Sequence, residues 1–240
     1  MRSLSPRPLL PQPVLDKLSE KAADIDSHLS PPDRAEQVFD NSRGTVWFHP
    51  VIEALSTLAG IGSRCMLCSG SEASQVEHFR PKRTFPDRAM SWKNFLWACG
   101  ICNQNKGNRF PVTALDETII NPIDDTVWDH FFIDEFGNLS AKWDVLAGDL
   151  DQRAILTIEE IGLDRETLQE TRLCRIINLH QLIAGALLQF TSGYITKEKL
   201  RELINFWISE PYQPDVADYF FRGPGRTEKP FAELLAIAEA

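Results

Sequence analysis

The sequence predicts an α-dominated α+β fold in which a short irregular segment, residues 63–111, is embedded between N-terminal and C-terminal helices. Three observations predict it. Apolar residues recur at helical spacing on both flanks, the period that turns one helix face toward a core. The segment between them loses that period and mixes Gly, Pro, Cys and aromatic residues. It also reverses the charge of the chain. The 240 residues carry a net −9. Within residues 61–111, Arg64, Arg80, Lys82, Arg83, Arg88, Lys93, Lys106 and Arg109 stand against Glu72, Glu77 and Asp87. That is a net +5, so the other residues carry −14. An anion suits the basic island, while the acidic remainder disfavours nonspecific contact with nucleic acid.

Each element follows in order. Residues 1–13 hold four prolines and predict an irregular arm. Val14 to Leu29 predicts a helix with Leu15, Leu18, Ala22, Ile25 and Leu29 on one stripe. Ser30-Pro31-Pro32-Asp33 is a stop followed by a start. Residues 33–41 and 48–60 predict two more helices, the second ended by Gly60-Ile61-Gly62. Residues 112–150, with the turns NPIDD and FGN, predict strands or loops. Thr157 to Ile161 predicts at least one helical turn, and residues 164–192 a long helix whose stripe places Cys174 in the core. Residues 196–209 and 229–239 predict two final helices, separated by Pro211, Pro214 and the RGPGR loop. His28, His49, His130 and His180 are expected to be structural, and Trp92 and Trp97 to pack around the small segment. The composition, 43% hydrophobic and 25% charged, excludes a collagen, a disordered tail and a disulfide miniprotein. With no signal peptide expected at the N-terminus and no apolar run of membrane-spanning length expected, the protein is expected to be cytoplasmic. Division at 1–62, 63–111 and 112–240 follows.

Four of the five cysteines form two pairs, Cys65-x2-Cys68 and Cys99-x2-Cys102, both in the basic island. Paired cysteines in a cytoplasmic chain favour metal over disulfides, and four thiolates suit a closed tetrahedral Zn2+ site. The first pair is expected on a knuckle before a strand. The second is expected to open a helix, with both sulfurs one turn apart on one face. Zinc would then hold the strand bearing His78 against a helix presenting Asn103 and Lys106.

The stretch between and after the pairs carries a resemblance. Glu77-His78, Asn94 and Asn103, with EHFRPK and the run W-x-N-x4-C-x2-C-N-x2-K-G-x2-F-P, resemble the HNH (ββα-metal) endonucleases. Within that family they are similar to the zinc-stapled, PtuB-like branch of Septu and retron-associated anti-phage systems. NPIDD and residues 157–172 extend the likeness, so it covers about 65–172. The resemblance implies phosphodiester hydrolysis. His78 would be the general base and Asn94 the residue that ties down the loop and orients it. Glu77 and Asn103 would hold Mg2+ or Mn2+, and Arg80, Lys82 and Lys106 would contact phosphates. The general family pattern has Asp where Glu77 stands. Neighbouring strand residues point to opposite faces, so Glu77 joins His78 only through a bulge or its longer reach. The resemblance also implies an ATPase partner (PtuA-like), since the chain contains no GxxxxGK[ST] of its own. The acidic helices are the expected docking surface. DNA is the favoured substrate, with RNA such as tRNA the alternative. A noncatalytic zinc module and a partner-docking scaffold are the readings from other classes.

Overall fold

A computed structural model describes residues 1–4, 6–60, 62–70, 72–112, 118–209 and 214–239, the side chains of 209 and 214 excepted. It is α-dominated with small sheets. Three N-terminal helices, α1 (Gln12–Asp26), α2 (Pro31–Ser42) and α3 (His49–Leu58), come first. Prolines stand in the first turn of each, where the missing N–H has no helical partner to lose. Strands β1 (Gln75–His78) and β2 (Phe95–Ala98) form an antiparallel pair, followed by α4 (Gly100–Lys106). The expected order of strand, strand and helix is therefore present. α3 packs on β2, and α4 packs on β1.

The middle region holds a short helix α5 (Val127–His130), the hairpin of β3 (Phe131–Ile133) with β4 (Leu139–Ala141), and the pair β5 (Trp143–Asp144) with β6 (Asp149–Leu150). Then come α6 (Gln152–Ile161), α7 (Glu166–Thr191), α8 (Lys197–Ser209), α9 (Pro214–Arg222) and α10 (Phe231–Glu239). α6 is capped at both ends. The Asp151 carboxylate accepts from Ala154 N–H, and Gly162 takes the left-handed conformation that ends the helix. One buried core runs from Leu18 and Phe39 through Phe95 and the cysteines to Ile183 and Phe231.

Several expectations change. α1 ends at Asp26, so Leu29 falls beyond the helix and is exposed. The helix expected over Thr157 to Ile161 is present as α6 and begins earlier, at Gln152. α5 and α9 were not expected. Proline at the start of α9 was read as a break, whereas proline is at home in a first turn. Cys174 is exposed rather than core, because α7 turns Leu168, Ile176, Leu179 and Ile183 inward instead. α7 is also long and apolar enough, by length and composition, to cross a membrane, contrary to the expected lack of such a run. Its buried side packs on α9 and α10, where Arg175 pairs with Asp215, and the buried Arg172 donates instead to the carbonyls of Gly137 and Leu163. Ile61 and Pro211, expected in breaks between helices, lie outside the described residues.

The N-terminal arm, irregular as expected, is strapped across the start of β2. Arg7 donates to the carbonyls of Phe95 and Lys93, at 2.6 and 2.8 Å. The Trp92 indole donates to Pro8 O. His130 bonds to Asp151, and His180 packs on Phe220 and Phe231.

Candidate functional site

The first cysteine pair sits on a tight knuckle. Ser69 N–H closes it on Cys65 O at 2.8 Å, with Ser69 itself at φ +56°. Met66 N–H donates to Trp97 O, which ties the knuckle to β2. Cys99 stands at the cap of α4, and Cys102 follows one turn later. All four cysteines are buried, and their sulfurs lie within 4.8 Å of one another, with Cys68 and Cys99 at 4.0 Å. Zn–S bonds of about 2.3 Å in a tetrahedron place sulfurs about 3.8 Å apart, so this donor set fits zinc. Protons alone divide these thiols. Hydrogen bonds from Cys102, Cys65 and Cys99 pull Cys68 well below the ordinary thiol range. Those to Cys65, Cys68 and Cys99 hold Cys102 well above it. A divalent cation instead favours all four thiolates at once.

β1 and β2 pair without a bulge, from Gln75 opposite Ala98 to His78 opposite Phe95. Gln75 and Glu77 therefore share the face toward α4, while His78 points to the other. The His78 ring lies edge-on between Phe39 and Phe95, with centroids at 4.4 and 5.3 Å. Its Nε2–H donates to Ala89 O at 2.9 Å, which leaves Nδ1 as the acceptor. Burial pushes its pKa down to about 3; the Ala89 bond opposes this and the charges of Lys82 and Lys106 add to it. The imidazole is neutral at physiological pH, and only 4% of the residue is exposed.

Asn94 holds the loop that follows β1. Its Oδ1 accepts from Arg80 N–H at 2.7 Å, and its Nδ2 donates to the carbonyls of Arg80 and Arg88. The loop it pins includes Ala89, so Asn94 indirectly fixes the carbonyl that orients His78.

The residues implied to hold Mg2+ or Mn2+ each engage a protein partner. The Glu77 carboxylate accepts from Lys106 Nζ at 2.7 Å. Lys106 also donates to His78 O at 2.7 Å and is completely buried. Its ammonium joins α4 to β1 rather than facing a phosphate, because the helix turns it inward beneath the sheet. Asn103 donates to Gln75 Oε1 at 2.6 Å, two residues along the strand from Glu77. The two candidate ligands thus have separate partners, and His78 faces away from both, so they do not form a ready divalent-cation site. Arg80 is exposed, its guanidinium over the rings of Phe85 and Phe110. Lys82 reaches over the Phe39 ring. Gln75 and the Ala89 carbonyl were not singled out from sequence. The two-residue strand spacing of Gln75 from Glu77 was the one available signal, and a backbone carbonyl leaves none.

Fold and site together define a helical protein built around a tetracysteine-stapled ββα unit. No protein-family profile matches the chain. Over 99 residues, 39% of its length, the chain is 35% identical to the Septu protein PtuB of Bacillus thuringiensis. Those residues cover 37% of that relative, so the chain spans little more than a third of its length in the match.

Proposed function

We propose that the chain is an HNH endonuclease, the nuclease subunit of a Septu-type anti-phage defence system acting in the cytoplasm with an ATPase. The observation that carries this reading is His78. It ends the first strand of a ββα unit that four cysteines can staple with zinc. It is held neutral, with Nε2 fixed by Ala89 O and Nδ1 left as a proton acceptor. A general base needs an unprotonated ring with a free acceptor nitrogen, and the His78 ring gains basic strength as water reaches it and its pKa rises from about 3 toward the ordinary value. The similarity to the Septu protein PtuB supports the defence setting. In this reading Arg80 and Lys82, beside the clamped loop, would contact phosphates.

The chain's own residues perform one step here: His78 takes a proton from water as that water attacks phosphorus, the bond from phosphorus to the 3′-oxygen breaks, and the departing 3′-oxygen takes a proton from solvent to leave as a hydroxyl. Phe39 of α2 covers the ring. Productive attack therefore requires the aromatic cover to move, and an ATPase docking on the acidic helices would supply the force. The divalent ion implied by the HNH resemblance has no ready seat between Glu77 and Asn103, so no step is assigned to it.

The test compares wild type with His78→Ala on plasmid DNA, single-stranded DNA and total tRNA. Each is offered with Mg2+ or Mn2+, with and without a PtuA-like ATPase. Zinc content is measured on both proteins. Cleavage by wild type, strongest with the ATPase, and none by the zinc-loaded variant supports the reading and identifies the substrate. Equal inertness of both proteins in every condition refutes it. One observation favours a second reading, a noncatalytic zinc module: Lys106 already neutralises Glu77. That module would need zinc and be indifferent to His78.

A further inference from the structure

The start of α7 is fastened to the cysteine centre at three points. Arg165, at the cap of α7, donates from one terminal nitrogen to Cys102 Sγ at 3.5 Å. Its other terminal nitrogen donates to Gly162 O at 2.6 Å, which fixes the guanidinium against the end of α6. Leu168 packs on the knuckle so closely that a Cβ on Gly70 would stand 2.4 Å from its Cδ2. Arg175 donates to Ser69 O at 3.4 Å while pairing with the buried Asp215. Within the knuckle, Gly70 N–H donates to Cys68 Sγ at 3.4 Å.

Zinc bound by four thiolates carries a net charge of −2. In a buried site that excess is costly unless hydrogen-bond donors and cations oppose it. Arg165 supplies both to one sulfur. Arg172, nearby on the same helix, gives its guanidinium to Gly137 O and Leu163 O.

We propose that Arg165 is a positioning residue of the zinc centre: its hydrogen bond and charge stabilise the Cys102 thiolate and make metal retention depend on how α6 and α7 are docked. The zinc is then part of the C-terminal helical region as well as a staple for β1, β2 and α4. This rests on the zinc reading of the four cysteines and is independent of the nuclease reading.

The test uses the full chain loaded with Co2+ in place of zinc, comparing wild type with Arg165→Met, Arg165→Gln and Arg165→Lys. A donor to a thiolate lowers the energy of its lone pairs, so removing it moves the sulfur-to-cobalt charge-transfer band to lower energy. Loss of overall stability does not move that band. Partners of metal ligands are typically worth 10–100-fold in affinity. The expected result for folded Arg165→Met is a red-shifted band and transfer of metal to a chromogenic chelator about 10-fold faster. Arg165→Lys should restore much of the wild-type rate. Arg165→Gln provides the same readout should the methionine variant fail to fold. A wild-type band position or a wild-type transfer rate in a folded neutral variant overturns the proposal. Failure of wild type to take up Co2+ at all removes it together with the zinc reading, while loss of cleavage activity alone bears on neither.

Discussion

Lys106→Met breaks a buried ion pair without leaving a large hole, since the two side chains are similar in length. Lys106 is completely buried and Glu77 is 6% exposed, with 2.7 Å between the charged atoms. Burial pushes the Glu77 carboxyl up, with Lys106 and Lys82 opposing, and it pulls the Lys106 ammonium down, with Glu77 opposing. In both groups desolvation outweighs attraction. Removing one partner then leaves the other charge buried and uncompensated, which costs about 3–5 kcal/mol. The same change leaves His78 O without its donor. Against a total stability of about 5–15 kcal/mol, that is a large fraction. Because desolvation dominates, the double variant Glu77→Leu/Lys106→Met should recover part of the loss, the remainder being the His78 carbonyl left without its donor, about 1–3 kcal/mol. Urea denaturation of the zinc-loaded proteins at neutral pH measures all three, with the linear slope checked for two-state behaviour. A loss below about 1 kcal/mol for Lys106→Met, the cost of an exposed pair, would refute the reasoning. So would a double variant no more stable than the single one.

Three further outcomes are expected. His78 has a folded-state pKa near 3 against an ordinary 6.5, so the unfolded chain takes the proton first. The stability this contributes is full above about pH 6.5 and is lost as the pH falls toward 3, and denaturation curves of His78→Phe should show a shallower slope across that window than wild type. Asn94→Asp replaces two N–H donors by an oxygen facing the carbonyls of Arg80 and Arg88; it should cost about 2 kcal/mol or more and expose the 80–91 loop to limited proteolysis, and unchanged protease resistance would count against the clamp. A thiol reagent should titrate one cysteine quickly in the zinc-loaded protein, Cys174, and four more only after a chelator is added; five fast thiols would exclude a metal-held cluster.

How much of this was legible in the sequence depended on the range of the interactions involved. The helices on both flanks could be read because their apolar spacing is a local property. The cysteine cluster could be read because Cys65, Cys68, Cys99 and Cys102 carry their chemistry and their spacing within each pair. Pro214 misled because proline ends one helix and begins another with equal ease. Cys174 misled because α7 is apolar on more than one side, so composition did not say which side faces inward. At the site, Asn94 was expected as a loop clamp through its place in the motif, and its bonds run to Arg80 and Arg88.

The sequence by itself determined the class of architecture and the presence of a tetracysteine centre, since helical period and ligand chemistry are written in residue types a few positions apart. Only the tertiary structure decided which partner each polar side chain takes. Lys106, a cation in a basic island, became the buried counter-charge of Glu77 because α4 lies against β1 and no water is left between them. His78 became a sealed, neutral imidazole because α2 brings Phe39 across its ring. Arg165 met Cys102 across 63 residues of chain. Each outcome is set by desolvation, and desolvation depends on what the rest of the fold places next to a residue.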